Sequence, residues 1–411
     1  MTDERAILRD DAGGAAYDPA RSSALHDAWW AQHGADLWAA RRPPRVTRDP
    51  NRRLRVGYVG GDFCFHSAAM AFSPMIFSAS TDVETFAYAT TPRSVQDETT
   101  MHFKQRLGWR FVDVSAFPPA ALATIIRTDK IDILVDLSGL TPHHRFATFA
   151  AQPAPIQLTG WGYVTDHGWP CFTGILADPF VAPPETRSAM RSRVIDLPCV
   201  LTNLLRPGLT RRTRPDGPPV FGVFQRAGKF TAETCRVWSR LLSGLPTATL
   251  LIRALQATPD FESHVRAKFD AGVRARVRFE ALMNHGDHME RHNAVDVMLD
   301  TWPQAGGCST LEALWMGVPV VTLVGDRLMQ RTSGSCLHLV GLPECVARDE
   351  EDYILTARAL VSDRARLTAL RATLPTTLMH SPIIRGYVRA VETAYKQLWR
   401  SYCAQAKDQA A

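Results

Sequence analysis

The sequence has few cysteines, and they are not arranged in pairs. Eight cysteines stand singly among 411 residues, and no C-x-x-C pair occurs. That spacing does not fit a zinc ribbon or a disulfide framework, and it is typical of proteins from a reducing compartment. We therefore expect free thiols, no bound metal, and a cytoplasmic location.

Long apolar segments are absent as well. The N-terminal stretch MTDERAILRDDAGG is charged and lacks the apolar core of a secretory signal. No uninterrupted apolar run reaches the roughly 18 residues that a transmembrane helix needs. No repeat with a period of roughly 33 to 47 residues is visible, which excludes the common solenoids. The sequence predicts neither a transmembrane segment nor a repeat array.

The excess of positive charge is small. The formal net charge is +6 and is spread over the whole chain, so it can favour anionic ligands but does not indicate a nucleic-acid partner. The most basic segment is 41–55, where seven arginines are interrupted by Pro43 and Pro44. It is either a solvated linker or an arm that docks on an acidic partner or a lipid surface.

From Leu54 onward, apolar strands alternate with amphipathic helices, and the Pro-, Gly- and Arg-rich segment 206–219 divides the pattern in two. Such alternation predicts parallel sheets covered by helices, with ligands at the carboxyl ends of strands. The expected organisation is an N-terminal helical, Arg-rich arm (1–50), a first lobe (51–205), a linker (206–219), a second lobe (220–380) and a C-terminal helix (381–411). The fold class is therefore α/β, with two Rossmann-like lobes facing a cleft.

Several elements can be placed from their patterns. Helices are predicted over Ser22–Ala40, Pro118–Arg127 and Thr231–Leu245. Strands are predicted at 54–61, 131–139, Val220–Phe224, Thr247–Ile252, Ala294–Leu299 and Pro319–Val324.

The segment His288–Val321 carries the most chemical information. A strand ending at Asp300 is followed by a glycine-containing loop and a helix predicted over Leu311–Met316. Glycines let a ligand approach the backbone, and a helix start binds anions. Ser and Thr are natural helix caps, and Glu312 is expected in the first helical turn, within reach of a ribose hydroxyl. Taken alone, this loop fits an ordinary strand-loop-helix turn better than an anion site; its residues are Gly306, Gly307, Cys308, Ser309 and Thr310.

The same segment resembles the nucleotide-sugar site of the O-linked N-acetylglucosamine transferase and SPINDLY family. That pattern is His-x7-Asp-x3-Asp-Thr followed by Gly-Gly-Thr-Thr-x-x-Asp-x-Leu-Trp-x-Gly-x-Pro-Val-Val. Every element recurs in order, with Cys308-Ser309 for Thr-Thr and Glu312 for Asp. The resemblance covers about residues 22–402. It includes RVGYVGGDFCFHS (55–67), ILVDLSGLT (133–141), QPAPIQLTGWGY (152–163), FQRAGKFTAETCRVW (224–238) and SPII…Y (381–395).

The resemblance implies a glycosyltransferase B fold, an inverting mechanism, a nucleoside-diphosphate sugar donor and no metal or other cofactor. It implies that Lys229 contacts the diphosphate, that loop 306–310 holds the phosphates, and that Glu312 binds the ribose. His288 matches the histidine that packs against the base, and Arg291 follows on the same helical face. Arg226 stands where the family often has Asn or Gln, and we include it among the donor-binding residues.

His66, in the segment GDFCFHS, matches a family histidine on the sugar and acceptor side. An imidazole with its ordinary pKa of about 6.5 can accept the proton of a hydroxyl group. His66 is therefore a candidate catalytic base, with Asp62 in a position to orient its loop.

Two departures from the family pattern fall on the acceptor side. Leu140 stands where family members usually have histidine, directly after DLSG. The segment Gly160–Thr165 lacks the Pro-Gly turn found at this point in the family. Both departures leave the nucleotide half intact and concern the sugar and the acceptor.

The expected function is transfer of a sugar, with N-acetylglucosamine from its UDP donor as the first choice, to Ser or Thr hydroxyls of a protein. GDP-fucose and UDP-glucose are alternative donors, and a binding module that has lost turnover is an alternative class. The roughly 50 residues before the first strand are too few for the three helical repeats of a stable array. The acceptor would then be chosen by a partner, the basic arm or the cleft.

One alternative needs no family resemblance. His285, His288 and His292 are spaced i, i+3 and i+7, which could place three imidazoles on one helical face as zinc ligands.

Overall fold

The computed structural model describes residues 4–11, 18–203, 209, 211–212, 214, 216–254, 258–281 and 284–408. The chain divides into two compact units, which we call unit 1 (Met1–Leu204 with Gly386–Ala411) and unit 2 (Leu205–Arg385). About half of the predicted linker 206–219 lies outside the described residues.

Unit 1 is built on a seven-stranded sheet in which every neighbouring pair of strands is parallel, with the order β3-β2-β1-β4-β5-β6-β7. Most strand residues are buried, as expected for a parallel sheet that is covered on both faces. The strands are β1 (Leu54–Gly60), β2 (Val83–Ala89), β3 (Phe111–Asp113), β4 (Ile133–Asp136), β5 (Ile156–Thr159), β6 (Gly174–Ala177) and β7 (Val194–Asp196).

The helix predicted over Ser22–Ala40 is in fact two helices that meet at Gly34. The first begins at Pro19, because the Asp18 carboxylate caps it by accepting from the Ala20 and Arg21 backbone N–H groups. The helices of unit 1 are α1 (Glu4–Asp11), α2 (Pro19–His33), α3 (Ala35–Ala39), α4 (Ser67–Phe77), α5 (Glu98–Leu107), α6 (Pro119–Thr128), α7 (Phe146–Ala150) and the C-terminal helix (Pro382–Asp408), which starts four residues before unit 1 resumes at Gly386.

Unit 2 contains a six-stranded parallel sheet in the order β10-β9-β8-β11-β12-β13. The prediction for Val220–Phe224 is confirmed at both ends. The strand predicted from Ala294 begins only at Val297, because His292–Ala294 forms a short 3-10 turn. The strands are β8 (Val220–Phe224), β9 (Thr249–Ala254), β10 (Val277–Ala281), β11 (Val297–Leu299), β12 (Val320–Leu323) and β13 (Val346–Ala347).

Seven helices cover this second sheet among the described residues. Thr231 caps the helix predicted over Thr231–Leu245, which runs from Ala232 to Ser243. The helices are α8 (Ala232–Ser243), α9 (Pro259–Ala267), α10 (His285–Arg291), α11 (Cys308–Trp315), α12 (Thr332–Leu339), α13 (Glu350–Ser362) and α14 (Arg364–His380); the C-terminal helix becomes α15 (Pro382–Asp408).

Each sheet has one point where the strand order reverses, between β1 and β4 in unit 1 and between β8 and β11 in unit 2. In open parallel sheets the loops that leave the carboxyl ends of such a strand pair diverge to opposite faces and leave a crevice between them. The fold therefore directs attention to the loops after β1 and β4, and after β8 and β11. The two doubly wound units confirm the predicted fold class of two Rossmann-like lobes.

The arginine-rich segment 41–55 folds against unit 1. Arg52 forms an ion pair with Asp132, whose side chain is fully buried, and its guanidinium lies 4.4 Å from the Trp399 ring centroid on α15. The Trp399 indole N–H donates to the Asp49 carbonyl at 2.9 Å. These contacts tie α15 to the first sheet, so this part of the segment is neither a solvated linker nor a free docking arm. Three more arginines are engaged: Arg41 with Trp38, Arg48 with Tyr402, and Arg55 with Glu84.

Replacing Arg52 with alanine should lower the free energy of unfolding by about 2 kcal/mol, because it leaves the buried Asp132 carboxylate without its ion-pair partner. The matched control is Arg53→Ala, since Arg53 is exposed and surface substitutions usually change stability by about 0.5 kcal/mol or less. Urea denaturation of both variants measures the difference. Equal losses in the two variants would contradict the structural role assigned to Arg52.

The structure describes all eight cysteines, and no disulfide joins any of them. No described helix combines the length and hydropathy needed to cross a membrane.

Candidate functional site

The switch point of unit 2 carries a partly buried ammonium group. Directly after β8, the chain passes through Gln225 and a 3-10 turn that ends at Lys229. Lys229 Nζ donates to Gln225 Oε1 at 2.9 Å and to the Ala305 carbonyl at 2.8 Å. Two neutral acceptors thus hold the ammonium in place without neutralising it, which leaves its charge for an anion.

Asp300, at the end of the neighbouring strand β11, organises the loop on the other side. Its Oδ1 accepts from the Gly306 backbone N–H at 2.8 Å, and its Oδ2 accepts from the Thr322 hydroxyl at 2.8 Å. A Cβ atom at Gly306 would lie 2.8 Å from the hydroxyl oxygens of Ser309 and Thr310. The loop therefore needs glycine at 306 to pack this closely.

Helix α11 begins three residues earlier than predicted. Its first residue is Cys308 and its N-cap is Gly307, which makes no side-chain capping bond. The expectation that Ser309 and Thr310 cap the helix is therefore wrong, since both lie inside its first turn. A helix start without a capping side chain presents N–H groups suited to bind an anion. Burial and the Glu312 carboxylate raise the pKa of the Cys308 thiol to about 12, so the thiol stays neutral beside such an anion.

The hydroxyl groups of this first turn face different neighbours. Ser309 Oγ accepts from Gln225 Nε2 at 3.0 Å, which connects α11 to the loop that carries Lys229. Thr310 is buried, and its hydroxyl is 2.7 Å from the Ser333 hydroxyl of α12. The Thr310 side chain thus fixes the helix start in the unit.

Glu312 lies one turn further along α11 than predicted and links two histidines of α10. His285 Nε2 is 2.9 Å from Glu312 Oε1, and His288 Nε2 is 3.5 Å from Oε2. Burial acts to raise the pKa of the Glu312 carboxyl, but the two imidazoles outweigh it and lower the pKa to about 2. The carboxylate is therefore ionised at neutral pH and fixes the position of α10.

The contact with Glu312 also determines the tautomer of His288. Because Nε2 faces a carboxylate, it carries the ring proton, and Nδ1 keeps a lone pair. Nδ1 is buried and has no hydrogen-bond partner among the described residues. Phe224, at the end of β8, packs 5.5 Å away between ring centroids. His288 is thus held between Glu312 and Phe224, with Nδ1 facing the protein interior.

The zinc alternative does not fit this arrangement. His292 is fully buried, and its Nδ1 lies 3.1 Å from the carbonyl oxygens of both His288 and Met289. Burial lowers the pKa of His292 to about 3, with His288 acting in the same direction. Within the described part of the chain, no three His, Cys, Asp or Glu side chains are arranged to hold a metal ion.

Two arginines fix the strand edge beside α10. Arg291 forms an ion pair with Glu280 at the end of β10, with its Nε 2.6 Å from the carboxylate. Arg253 is almost fully buried and binds Asp287 at 2.5 Å, which holds α10 from the second side. Arg226 is exposed at the turn before Lys229.

Burial lowers the pKa of the Lys229 ammonium to about 8; the positive charge of Arg226 acts in the same direction and Asp300 against it. At neutral pH most molecules carry the charged form. A bound diphosphate would favour that form further.

In unit 1, His66 lies at the start of α4, where its Nδ1 accepts from the Ala68 backbone N–H at 3.2 Å. A neutral imidazole that accepts at Nδ1 carries its proton on Nε2. Asp62 Oδ2 is 3.6 Å from Nδ1, which is too long for a direct hydrogen bond. With Nδ1 engaged by the start of α4, Nε2 is the ring nitrogen of His66 that remains for a substrate, and its catalytic role stays a prediction.

Leu140 is buried in an aromatic cluster, not in a polar site. Its side chain is 2% exposed and belongs to the core with Trp29, Phe146 and Trp169. Trp29 comes from α2 and stacks on Trp169 with 4.4 Å between ring centroids. The residue at 140 therefore joins the N-terminal helices to the sheet, which accounts for an apolar side chain at this position.

Sequence reasoning missed four residues that shape the site. Asp300 and Gln225 had a signal, because each is a polar residue that directly ends or follows a buried strand at a switch point. Arg253 and Glu280 had none, because their partners Asp287 and Arg291 lie 34 and 11 residues away in the chain.

Two doubly wound units, one with a lysine and an uncapped helix start at its switch point, form a fold and a site suited to bind a phosphate-bearing ligand. The model of glycosyl transferase family 41 matches residues 40–200 and 206–390. This chain belongs to glycosyl transferase family 41.

Individual proteins support the assignment. The chain is 30% identical over 376 residues to a probable UDP-N-acetylglucosamine–peptide N-acetylglucosaminyltransferase, SPINDLY, of Arabidopsis thaliana, covering 87% of this chain and 40% of that protein. It is 32% identical to a solved variant of the O-GlcNAc transferase of Thermobaculum terrenum, with a TM-score of 0.90 over 98% of this chain and 78% of that one. The Anabaena protein HepE, solved with UDP and glucose, shares only the fold, with 11% identity and a TM-score of 0.53 over 83% of this chain and 99% of that one. This chain spans about two fifths of the length of the curated relatives it matches.

Proposed function

We propose that this chain transfers N-acetylglucosamine from UDP-N-acetylglucosamine to serine or threonine hydroxyl groups of a protein, with inversion at the anomeric carbon. The observation that carries this proposal is the Lys229 ammonium, held by Gln225 and the Ala305 carbonyl in the same unit as the uncapped start of α11. The names of the relatives support the donor and the acceptor class.

The chemistry follows from the charge that develops during transfer. The acceptor oxygen forms a bond to the anomeric carbon, the bond from that carbon to the diphosphate breaks, and its electron pair leaves with UDP. A fixed ammonium and a helix start stabilise this growing negative charge without reorganising. Lys229 and the first turn of α11 therefore act on the leaving group, and this chemistry requires no metal.

The remaining groups of unit 2 are assigned to the nucleoside. Glu312 is ionised, and a carboxylate with two imidazole donors still has lone pairs for a ribose hydroxyl. His288, held by Glu312 and Phe224, packs against the base, and Arg291, held by Glu280, lies beside it. His66 donates from Nε2 to an oxygen of the sugar or the acceptor.

Mass spectrometry with a panel of nucleotide sugars, followed by transfer to a peptide library, tests this proposal. UDP-N-acetylglucosamine should bind most tightly, and transfer should add the mass of one N-acetylhexosamine residue to serine- or threonine-containing peptides. Preferential use of GDP-fucose or UDP-glucose would replace the donor assignment. Tight nucleotide binding without transfer to any acceptor would instead favour a binding module.

A further inference from the structure

Besides His66, unit 1 has another histidine near its crevice, His143, to which the family pattern assigns no role. His143 lies in the loop after β4, and the loop after β1 leads to His66. Strands β1 and β4 are the adjacent pair at which the strand order of this sheet reverses. His143 and His66 therefore follow the two strands whose loops border the crevice of unit 1.

The backbone of His143 is held in a costly conformation. Its φ is 70°, in the left-handed region that residues other than glycine uncommonly adopt, although Asn, Asp and His are found there more often than other side chains. Thr90 Oγ1 donates to the His143 carbonyl at 2.8 Å, and Arg145 Nη1 donates to the same oxygen at 3.0 Å. Two hydrogen bonds thus hold His143 in a backbone conformation that glycine would adopt at a lower cost in free energy. Such strain is found preferentially at functional sites.

The loop that leads to His66 is packed directly against His143. A Cβ atom at Gly61 would lie 3.2 Å from the Cβ of His143 and 3.1 Å from the Pro142 carbonyl oxygen. Gly61 thus permits the close approach of the two loops. The strained residue is therefore fixed beside the segment that carries Asp62 and His66.

The His143 imidazole is available to a ligand. The residue is exposed, and its ring makes no hydrogen bond or ion pair with any described residue. His66, by contrast, uses its Nδ1 to cap α4. Of these two imidazoles, His143 is the one with a lone pair that is not engaged by the protein.

We propose that His143 forms a hydrogen bond with the acceptor hydroxyl and takes its proton as the new glycosidic bond forms; this inference rests on the proposed function. The hydroxyl oxygen bonds to the anomeric carbon, its proton moves to the His143 imidazole, and the electron pair of the broken bond leaves with the diphosphate. His66 donates a hydrogen bond from Nε2 on the same side. The unusual backbone of His143 then has a function, which is to hold this ring at the crevice.

The test compares His143→Gly and His143→Asn with the control Lys130→Gly. Lys130 also has a positive φ, 53°, and is exposed, but it precedes β4 and lies at the opposite end of the sheet. Both glycine variants should raise the melting temperature, because glycine relieves the strain. His143→Gly should lower kcat by roughly a hundredfold or more without changing the Kd for UDP, whereas Lys130→Gly should keep full activity.

His143→Asn separates proton transfer from hydrogen bonding. Asparagine tolerates positive φ and forms hydrogen bonds, but it cannot take a proton, so its kcat should fall as far as that of the glycine variant. If the wild-type enzyme is active and either His143 variant has an unchanged kcat, the role of His143 is overturned and the proposed function is not. A wild-type enzyme that transfers no sugar to any acceptor would overturn the proposed function, and this inference with it.

Discussion

Replacing Lys229 with alanine is expected to abolish sugar transfer while the fold remains intact. The ammonium is a partly buried cation at the switch point of unit 2, and its hydrogen-bond partners there are the neutral Gln225 Oε1 and the Ala305 carbonyl. Removing one fixed group that stabilises developing negative charge typically lowers kcat by about a hundredfold to a thousandfold. We expect a loss at the upper end of that range, because the charge itself is removed.

Lys229→Met is the control for packing, since methionine is close to lysine in length and lacks only the charge and the donors. Both variants should lose turnover together and retain the circular dichroism spectrum and cooperative melting of the wild type. Steady-state kinetics with UDP-N-acetylglucosamine measures the effect. Near-normal turnover in either variant would show that the diphosphate leaves elsewhere.

The second large effect is expected at Asp300. Asp300→Ala removes the acceptor for the Gly306 N–H and the Thr322 hydroxyl, both of which are buried, and the counter-charge near Lys229. Deleting one member of such a buried network costs about 3 kcal/mol of unfolding free energy. Urea denaturation should show this loss, and UDP binding should weaken because the 306–310 loop is no longer held.

Asp300→Asn separates loop geometry from charge. The amide oxygen can still accept from Gly306, and the Thr322 hydroxyl can turn to accept from the amide nitrogen, so most of the stability should remain. The Asp300 charge raises the pKa of Lys229, so its removal should lower that pKa further below about 8.

Deprotonation of Lys229 should weaken the binding of UDP at high pH. UDP binds preferentially when Lys229 is protonated. Below about pH 8 the lysine is protonated already, and the affinity of the wild type for UDP should not change with pH through this group. Above about pH 8 that affinity should fall, by up to about tenfold per pH unit. In Asp300→Asn this decline should begin at a lower pH. Isothermal titration calorimetry across pH 6–10 (roughly two units either side of the lysine pKa) measures both curves. Identical curves would show that Asp300 does not act on Lys229 through its charge.

Much of the fold was predictable from the sequence because each signal was local. The strand at Val220–Phe224 is a short apolar run with clear ends, and the structure reproduces it residue for residue. The errors occurred at element boundaries, such as the start of β11 at Val297 and the start of α11. At α11 the Ser and Thr residues indicated a cap, but the backbone at Gly307 allows the helix to begin at Cys308, and no local signal distinguishes these two outcomes.

The arginine-rich segment shows why composition did not reveal structure. Seven arginines indicate a solvent-exposed segment, yet Arg52 pairs with Asp132, which lies 80 residues away in the chain. Only the folded sheet brings Asp132 next to Arg52. The ion pair between Arg52 and the buried Asp132 carboxylate exists only in the folded chain, so the composition of the segment could not indicate it.

The sequence by itself determined the alternation of strands and helices, the family, and the lysine and glycine loop that could face a diphosphate. Only the tertiary structure decided that Glu312 is held by two histidines, that Asp300 fixes the loop, and that His66 uses its Nδ1 to cap a helix. The physical reason is distance along the chain. Motifs and periodicity report on neighbours within one or two turns or strands, whereas the tautomer of an imidazole and the charge of a partly buried lysine depend on groups that only the folded sheets bring into contact.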